Sequence, residues 1–159
     1  MKYSLDTSAL IEPWVRLYPP DVFPQVWEAL EGLIATGAVR ASIEVRRELE
    51  RQSDALSDWT HRVDGLFVEV DEPQARKVKE IVNAYPDLVK PNSTKSQADP
   101  FVIALAELGG AGVKVVAYEG RAKANAAPRI PNVCAARRIE VVSMVDVLRA
   151  EGFTFSAGG

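Results

Sequence analysis

Lys2-Tyr3-Ser4-Leu5-Asp6-Thr7-Ser8-Ala9-Leu10-Ile11 decides the fold. Its first half reads as a short strand ending at Leu5. Its second half reads as a helix start, with Thr7 or Ser8 as the cap and Ala9, Leu10 and Ile11 in the first turn. Asp6 falls at the junction, so its carboxylate projects past the end of the strand. In parallel α/β sheets the crevice outside the carboxyl ends of the strands is where ligands bind. An acid there is costly unless a cation or hydrogen bonds meet it. Three distant acids, Glu48, Asp99 and Glu119, fall at comparable strand ends or early helical turns. The expectation is that the fold gathers all four around a divalent metal.

The rest of the chain repeats the strand-then-helix alternation. Pro13 limits the first helix, and Pro19, Pro20 and Pro24 mark a loop. Gln25 to Thr36 has Val26, Trp27, Leu30, Leu33 and Ile34 at helical spacing, and Gly37 supplies the stop. Val39 to Ala41 is a short strand. Ser42 caps a helix carrying Glu44, Arg46, Arg47, Glu48 and Arg51, with Val45 and Leu49 as its apolar pair, and helical character resumes through Trp59 and Val63. Leu66 to Val70 reads as a strand. Pro73 opens a helix with Ala75, Val78, Ile81, Val82 and Tyr85 inward. Asn92 to Gln97 is a polar loop. Asp99-Pro100 starts the most apolar helix, Phe101 to Leu108, whose composition requires burial on most faces.

Val113 to Tyr118 is a β-branched strand with Glu119-Gly120 at its end. Ile130-Pro131-Asn132-Val133-Cys134 leads into a short helix, Ile139 to Val142 forms a last strand, and Ser143 with Asp146 makes a capping box for the helix Met144 to Glu151. This alternation predicts an α/β fold with a four- or five-stranded parallel sheet and helices on both faces. Residues 1–155 read as one domain and 156–159 as a flexible tail.

Composition limits the chemistry. A length of 159 residues suits one domain with a real core. No apolar run approaches the roughly 18 residues of a membrane span, and Asp6 interrupts any signal-peptide core, so a cytoplasmic protein without a membrane partner is expected. The single cysteine, Cys134, excludes an internal disulfide and reads as a small core residue. With one histidine, His61, and one cysteine, the usual zinc and copper sites are excluded, and His61 reads as a surface residue. Carboxylates alone select hard cations, magnesium or manganese.

Gly109 to Gly112 follows a helix rather than a strand, so no phosphate loop is present. Ser8 and Ser42 have no histidine base. The net charge of −3 argues against nonspecific nucleic-acid binding, yet the basic residues cluster. Arg40, Arg46, Arg47, Arg51 and Arg62 crowd one segment, and Arg121, Lys123, Arg129, Arg137 and Arg138 another. These are a basic rim for a phosphodiester or solvated helix faces. Lys95 is a further candidate for a phosphate contact.

Each acid has a plainer alternative. Asp6 could be a strand-end acid bonded to the next helix, Asp99 an N-cap before Pro100, Glu48 a surface acid paired with an arginine, and Glu119 a turn acid before Gly120. Their shared placement at one end of one sheet favours a site. Glu44, four residues before Glu48, shares its helix face, but sits in the first turn where an acid serves the helix dipole.

Leu5-Asp6-Thr7-Ser8, Ser42 with Glu48-Leu49, Ala98-Asp99-Pro100-Phe101 with Ile103 to Ala106, and Val115-Val116 leading to Glu119 resemble PIN-domain ribonucleases, most closely VapC-like toxins. Ile130 to Cys134 adds to the likeness, which covers nearly the whole chain. The resemblance implies a three-layer PIN-like fold and an endoribonuclease whose magnesium or manganese is held by Asp6, Glu48, Asp99 and Glu119. Thr7 or Ser8 would be the hydroxyl beside the first acid. It further implies an RNA substrate, a small antitoxin partner and a homodimer. Similar proteins carry Thr or Ser two residues before the last acid, where this chain has Ala117. The competing expectations are a non-catalytic α/β binding module, a PIN-like nuclease acting on DNA or in RNA processing, and a receiver-like or phosphatase-like domain using Asp6 as nucleophile.

Overall fold

The computed structural model describes residues 1–51, 54–90, 97–124 and 126–156. Lys95, most of the polar loop after Pro91, and residues 157–159 of the expected tail lie outside them. The chain is an α/β protein with five parallel strands: β1 (Tyr3–Leu5), β2 (Val39–Ser42), β3 (Phe67–Val68), β4 (Lys114–Val116) and β5 (Val141–Val142), in the order β3-β2-β1-β4-β5. Eight α-helices are found among the described residues: α1 (Ser8–Glu12), α2 (Pro24–Ala35), α3 (Ile43–Leu49), α4 (Asp54–Arg62), α5 (Glu72–Ala84), α6 (Asp99–Leu108), α7 (Ile130–Ala136) and α8 (Met144–Ala150). No described helix is long and apolar enough to cross a membrane.

The strand order locates the functional end. From β1 the chain steps outward through β2 to β3, then returns to add β4 and β5 on the other side of β1. The direction reverses between β1 and β4, and such a switch point opens a crevice at the carboxyl ends of the strands. Right-handed crossovers place α1 to α4 on one face and α5 to α7 on the other. The packing agrees with this. Trp14, Trp27 and Trp59 form one aromatic cluster with centroids 4.7–5.9 Å apart, joining the turn after α1 to α2 and α4. On the opposite face α6 lies against β1, β2 and β4, with α5 and α7 packed against it.

The apolar character of α6 has its reason in that position. Val102, Ile103, Ala104 and Ala106 are fully buried, and Ser4 Oγ of the central strand donates to Val102 O at 2.9 Å. A buried aliphatic side chain of this size contributes about 1.5–3 kcal/mol. Because α6 must feed β4 from its amino end, its own N-terminus opens at the carboxyl edge, beside the crevice.

Several local expectations change. The last three strands are shorter than the apolar runs containing them: only Phe67–Val68, Lys114–Val116 and Val141–Val142 pair. Pro13 ends α1 but not the coil of the chain, which continues as a π-helical turn, Pro13–Leu17, closed by Tyr18 N to Pro13 O at 2.7 Å. On α5, Gln74 rather than Ala75 is buried, and its amide reaches Phe101 O on α6. Neither Thr7 nor Ser8 caps α1 through its side chain. Gly37 adopts a φ of 78° at the end of α2, Ser42 caps α3, and Ser143 and Asp146 form the expected box on α8. Cys134 is buried, with its thiol pushed up to about 12 by burial, and His61 is on the surface.

Candidate active site

Asp6 is the first residue past β1, and its backbone is fixed there by a bond from its N–H to Val116 O at 2.9 Å. The main chain thus continues the β1–β4 ladder by one step and holds the carboxylate at the switch point. The side chain is 4% exposed. Its Oδ2 accepts from Ser8 N at 3.0 Å and from Ser8 Oγ. Ser8 Oγ in turn accepts from Tyr118 N at 2.9 Å. One hydroxyl therefore ties the end of β1 to the chain leaving β4.

Glu48 reaches the same place from α3. Its Oε2 accepts from Thr7 Oγ1, and its Oε1 accepts from Ala98 N at 2.9 Å, at the start of α6. The plainer alternative, a surface acid paired to an arginine, does not describe it. Glu44 instead pairs with Arg47. Asp99 is the first residue of α6, with Ala98 in the cap position and no side-chain cap bond, so the capping role expected for Asp99 is not found. Glu119 follows β4, and its Oε2 is buried with no hydrogen-bond partner.

The four expected acids line one cleft of about 270 Å³, together with Thr7, Ser8, Ile11, Glu12 and Tyr118. Its electrostatics are those of unrelieved carboxylates. Burial raises Asp6 above its usual range, against the lowering effect of the Ser8 bonds. Burial likewise raises Glu48, with the Thr7 hydroxyl and Ala98 N–H opposing and the Asp6 charge adding. Asp99 is pushed up to about 8, by burial first and then by the charges of Asp6, Glu119 and Glu48. Glu119 is raised by burial and by Asp6, while Arg129 and the Ile130 N–H oppose. Every shift disfavours the ionised form, the signature of like charges sharing a partly dry site.

A hard divalent cation fits this donor set. Among the described residues oxygen is the only ligand type on the cleft wall, Glu119 Oε2 has no hydrogen-bond partner, and Asp99 is raised by burial and by three acidic neighbours. Among the described residues no three His, Cys, Asp or Glu side chains stand close enough to share one ion as they are. Asp6 and Glu48 accept instead from the hydroxyls of Ser8 and Thr7.

Three features of the site escaped the sequence. Glu12 is a fifth acid on the cleft wall, on the same helix face as Ser8 and Ile11, and it pairs with Arg16 at 2.7 Å. The spacing of 8, 11 and 12 on a short helix was the available signal. Asn132 reads in the sequence only as part of the stretch leading into a helix, yet its Oδ1 accepts from Ala122 N at 2.9 Å and Arg129 N at 3.1 Å. It pins both ends of the loop that leaves Glu119. The basic rim is thinner than expected, because Arg46, Arg47 and Arg137 pair with glutamates.

Residues 3–155 match the model of a family described as a domain of unknown function, DUF4411, and the chain belongs to that family. No curated protein matches it.

Proposed function

We propose that this family member is a metal-dependent endoribonuclease, with magnesium or manganese held by Asp6, Glu48, Asp99 and Glu119. The observation that carries this reading is the convergence of four carboxylates, from four separate elements, on one cleft with no cation on its wall among the described residues. Such a cluster is tolerable at neutral pH only if some groups stay protonated or a cation enters. When bound, the cation supplies charge stabilisation to a phosphate under attack and a more acidic water.

The chain's own residues set the geometry. Ser8 holds Asp6 against the sheet edge, and Thr7 and the Ala98 N–H orient Glu48. Arg129 favours the ionised form of Glu119. Ala117 leaves no hydroxyl two residues before the last acid, but Ser8 Oγ, bonded to Tyr118 N, brings one from α1. The order and spacing of the acids resemble those of PIN-domain ribonucleases of the VapC type. On that likeness the chain is the toxin of a toxin–antitoxin pair, acting on RNA in the cytoplasm as a homodimer restrained by a small antitoxin.

The test is to incubate the purified protein with total RNA, with manganese or with a chelator, and map new ends. Discrete ends formed only with manganese, and absent with Asp6→Asn, are expected. Intact RNA under both conditions would refute the reading. Growth arrest on expression of the wild type, but not of Asp6→Asn, would distinguish a toxin from a processing enzyme.

A further inference from the structure

A second cleft, of about 530 Å³, adjoins the acid cleft and shares Glu119 with it. The segment Ala117-Tyr118-Glu119 is the divide. Tyr118 lines the acid cleft, and its neighbour Ala117 lines the second cleft, as alternation along an extended chain requires. A strand lying across the acids can therefore continue over Glu119 into the second cleft. The volume is in the range of small-ligand sites, about 300–1,000 Å³, and accommodates one nucleotide unit.

The walls are chemically divided. The apolar part of the lining, the floor, is Ala117, Pro131, Ala135, Ile139, Val141 and Val142. The far rim carries Glu140 and Asp146, and both carboxylates are engaged: Glu140 with Lys114 at 2.7 Å, Asp146 with Ser143 and Arg149. Arg121 lines the same cleft as Glu119. Among the described residues it is the one cation lining either cleft, and it has no ion-pair or hydrogen-bond partner among them. An uncompensated guanidinium bordering a carboxylate cluster is where a polyanion is held against the repulsion of that cluster.

We propose that this cleft binds the nucleotide next to the scissile phosphate of a single-stranded RNA. Arg121 contacts its phosphate, and the apolar floor takes one face of its base. The inference rests on the nuclease reading above. The floor offers apolar contact and the Glu140 and Asp146 carboxylates are engaged, so the subsite tolerates any base, as sites built on face contact and charge do.

The experiment is manganese-dependent cleavage of a labelled ten-nucleotide oligouridine at several salt concentrations. The proteins are wild type, Arg121→Ala, Arg121→Lys and Ala135→Glu. Arg121 and Ala135 are both exposed, and melting curves check that the variants fold. Arg121→Ala should weaken apparent affinity about fivefold to tenfold, mostly in KM, and lower the log–log salt slope by about 0.7, one phosphate contact on a single strand. Arg121→Lys should keep the slope, and Ala135→Glu should raise KM by occluding the floor with a like charge. Parental KM and slope in Arg121→Ala and Ala135→Glu would overturn the subsite. So would variants that keep parental RNA kinetics but lose a bound protein partner, which would assign the cleft to a peptide. If the wild type itself does not cut, the nuclease reading falls. Anisotropy of the same oligouridine in manganese then reads the cleft directly, and equal affinity of wild type and Arg121→Ala overturns the subsite.

Discussion

Glu48 is held at both oxygens, and the two partners do different work. The Ala98 N–H belongs to the start of α6, so Glu48 fixes that helix as well as facing the cleft. Glu48→Gln keeps an acceptor for this bond but loses the charge. It should abolish most manganese-dependent cleavage with little change in melting temperature, whereas Glu44→Gln, altering a group paired to Arg47, should lose little of either. Glu48→Ala should lose activity and also cost about 1–3 kcal/mol, because Thr7 Oγ1 and Ala98 N are left without their acceptor. Denaturant melts of the three variants beside cleavage assays separate these effects. Parental activity in Glu48→Gln would remove this residue from the site. Asp6, Asp99 and Glu119 were readable from the sequence because each falls at a strand end or helix start, whereas Glu48 lies one residue before the end of α3 rather than in an early turn, and its place was implied by the resemblance. The resemblance put a hydroxyl of Thr7 or Ser8 beside Asp6, where Ser8 is found, but it did not place the bond from Thr7 to Glu48 or the one from Tyr118 N to Ser8. A hydroxyl at a helix start reads as a cap, and nothing local distinguishes a bond to its own helix from one to a carboxylate 41 residues away.

At the scale of elements, the 119–129 loop depends on a side chain from α7. Asn132 Oδ1 accepts two backbone N–H groups, one near each end of the loop. Asn132→Ala should cost about 1–3 kcal/mol and reduce cleavage by displacing Glu119. Asn132→Asp, which preserves the acceptor, should recover most of the stability. A chemical denaturation series on both variants checks this, and equal stability of Asn132→Ala and wild type would contradict it.

The order of strands and helices was legible because the apolar periods switch cleanly between the two types. The strand lengths were not: pairing stops where the neighbour ends, so β3 and β5 contribute two residues each from longer apolar runs. On α5, Val78, Ile81 and Tyr85 face inward as expected, but Ala75 is exposed and Gln74 takes the buried place before them. Gln74 is polar by type, yet it is buried because Phe101 O on α6 lies within reach.

For the molecule as a whole, the acid cleft sets how stability responds to pH. Asp99 rises from an ordinary value near 3.8 to about 8, so between these values the folded protein holds a proton that the unfolded chain has released. Its contribution is complete below about pH 4 and is lost as pH rises through 8. Asp6, Glu48 and Glu119 shift in the same direction. The acids lowered by cationic partners or caps, Glu80, Glu107, Asp146 and Glu151, have the opposite sign, and their contribution is lost only as pH falls below the ordinary carboxylate range. With a chelator present, the melting temperature should therefore fall between pH 5 and pH 8, and Asp99→Asn should flatten the fall. A melting temperature independent of pH across that window would contradict the electrostatics described for the cleft.

A cation entering the site removes the same repulsion, so its stabilisation should be larger at pH 8 than at pH 5.5. The most direct measurement is a calorimetric titration of manganese into the metal-free protein at pH 7.5, run in parallel with Asp99→Asn. Saturable binding with proton release is expected for the wild type, and at least about tenfold weaker binding for the variant. No binding at millimolar manganese, or equal binding by both proteins, would contradict the assignment of these four carboxylates to a metal.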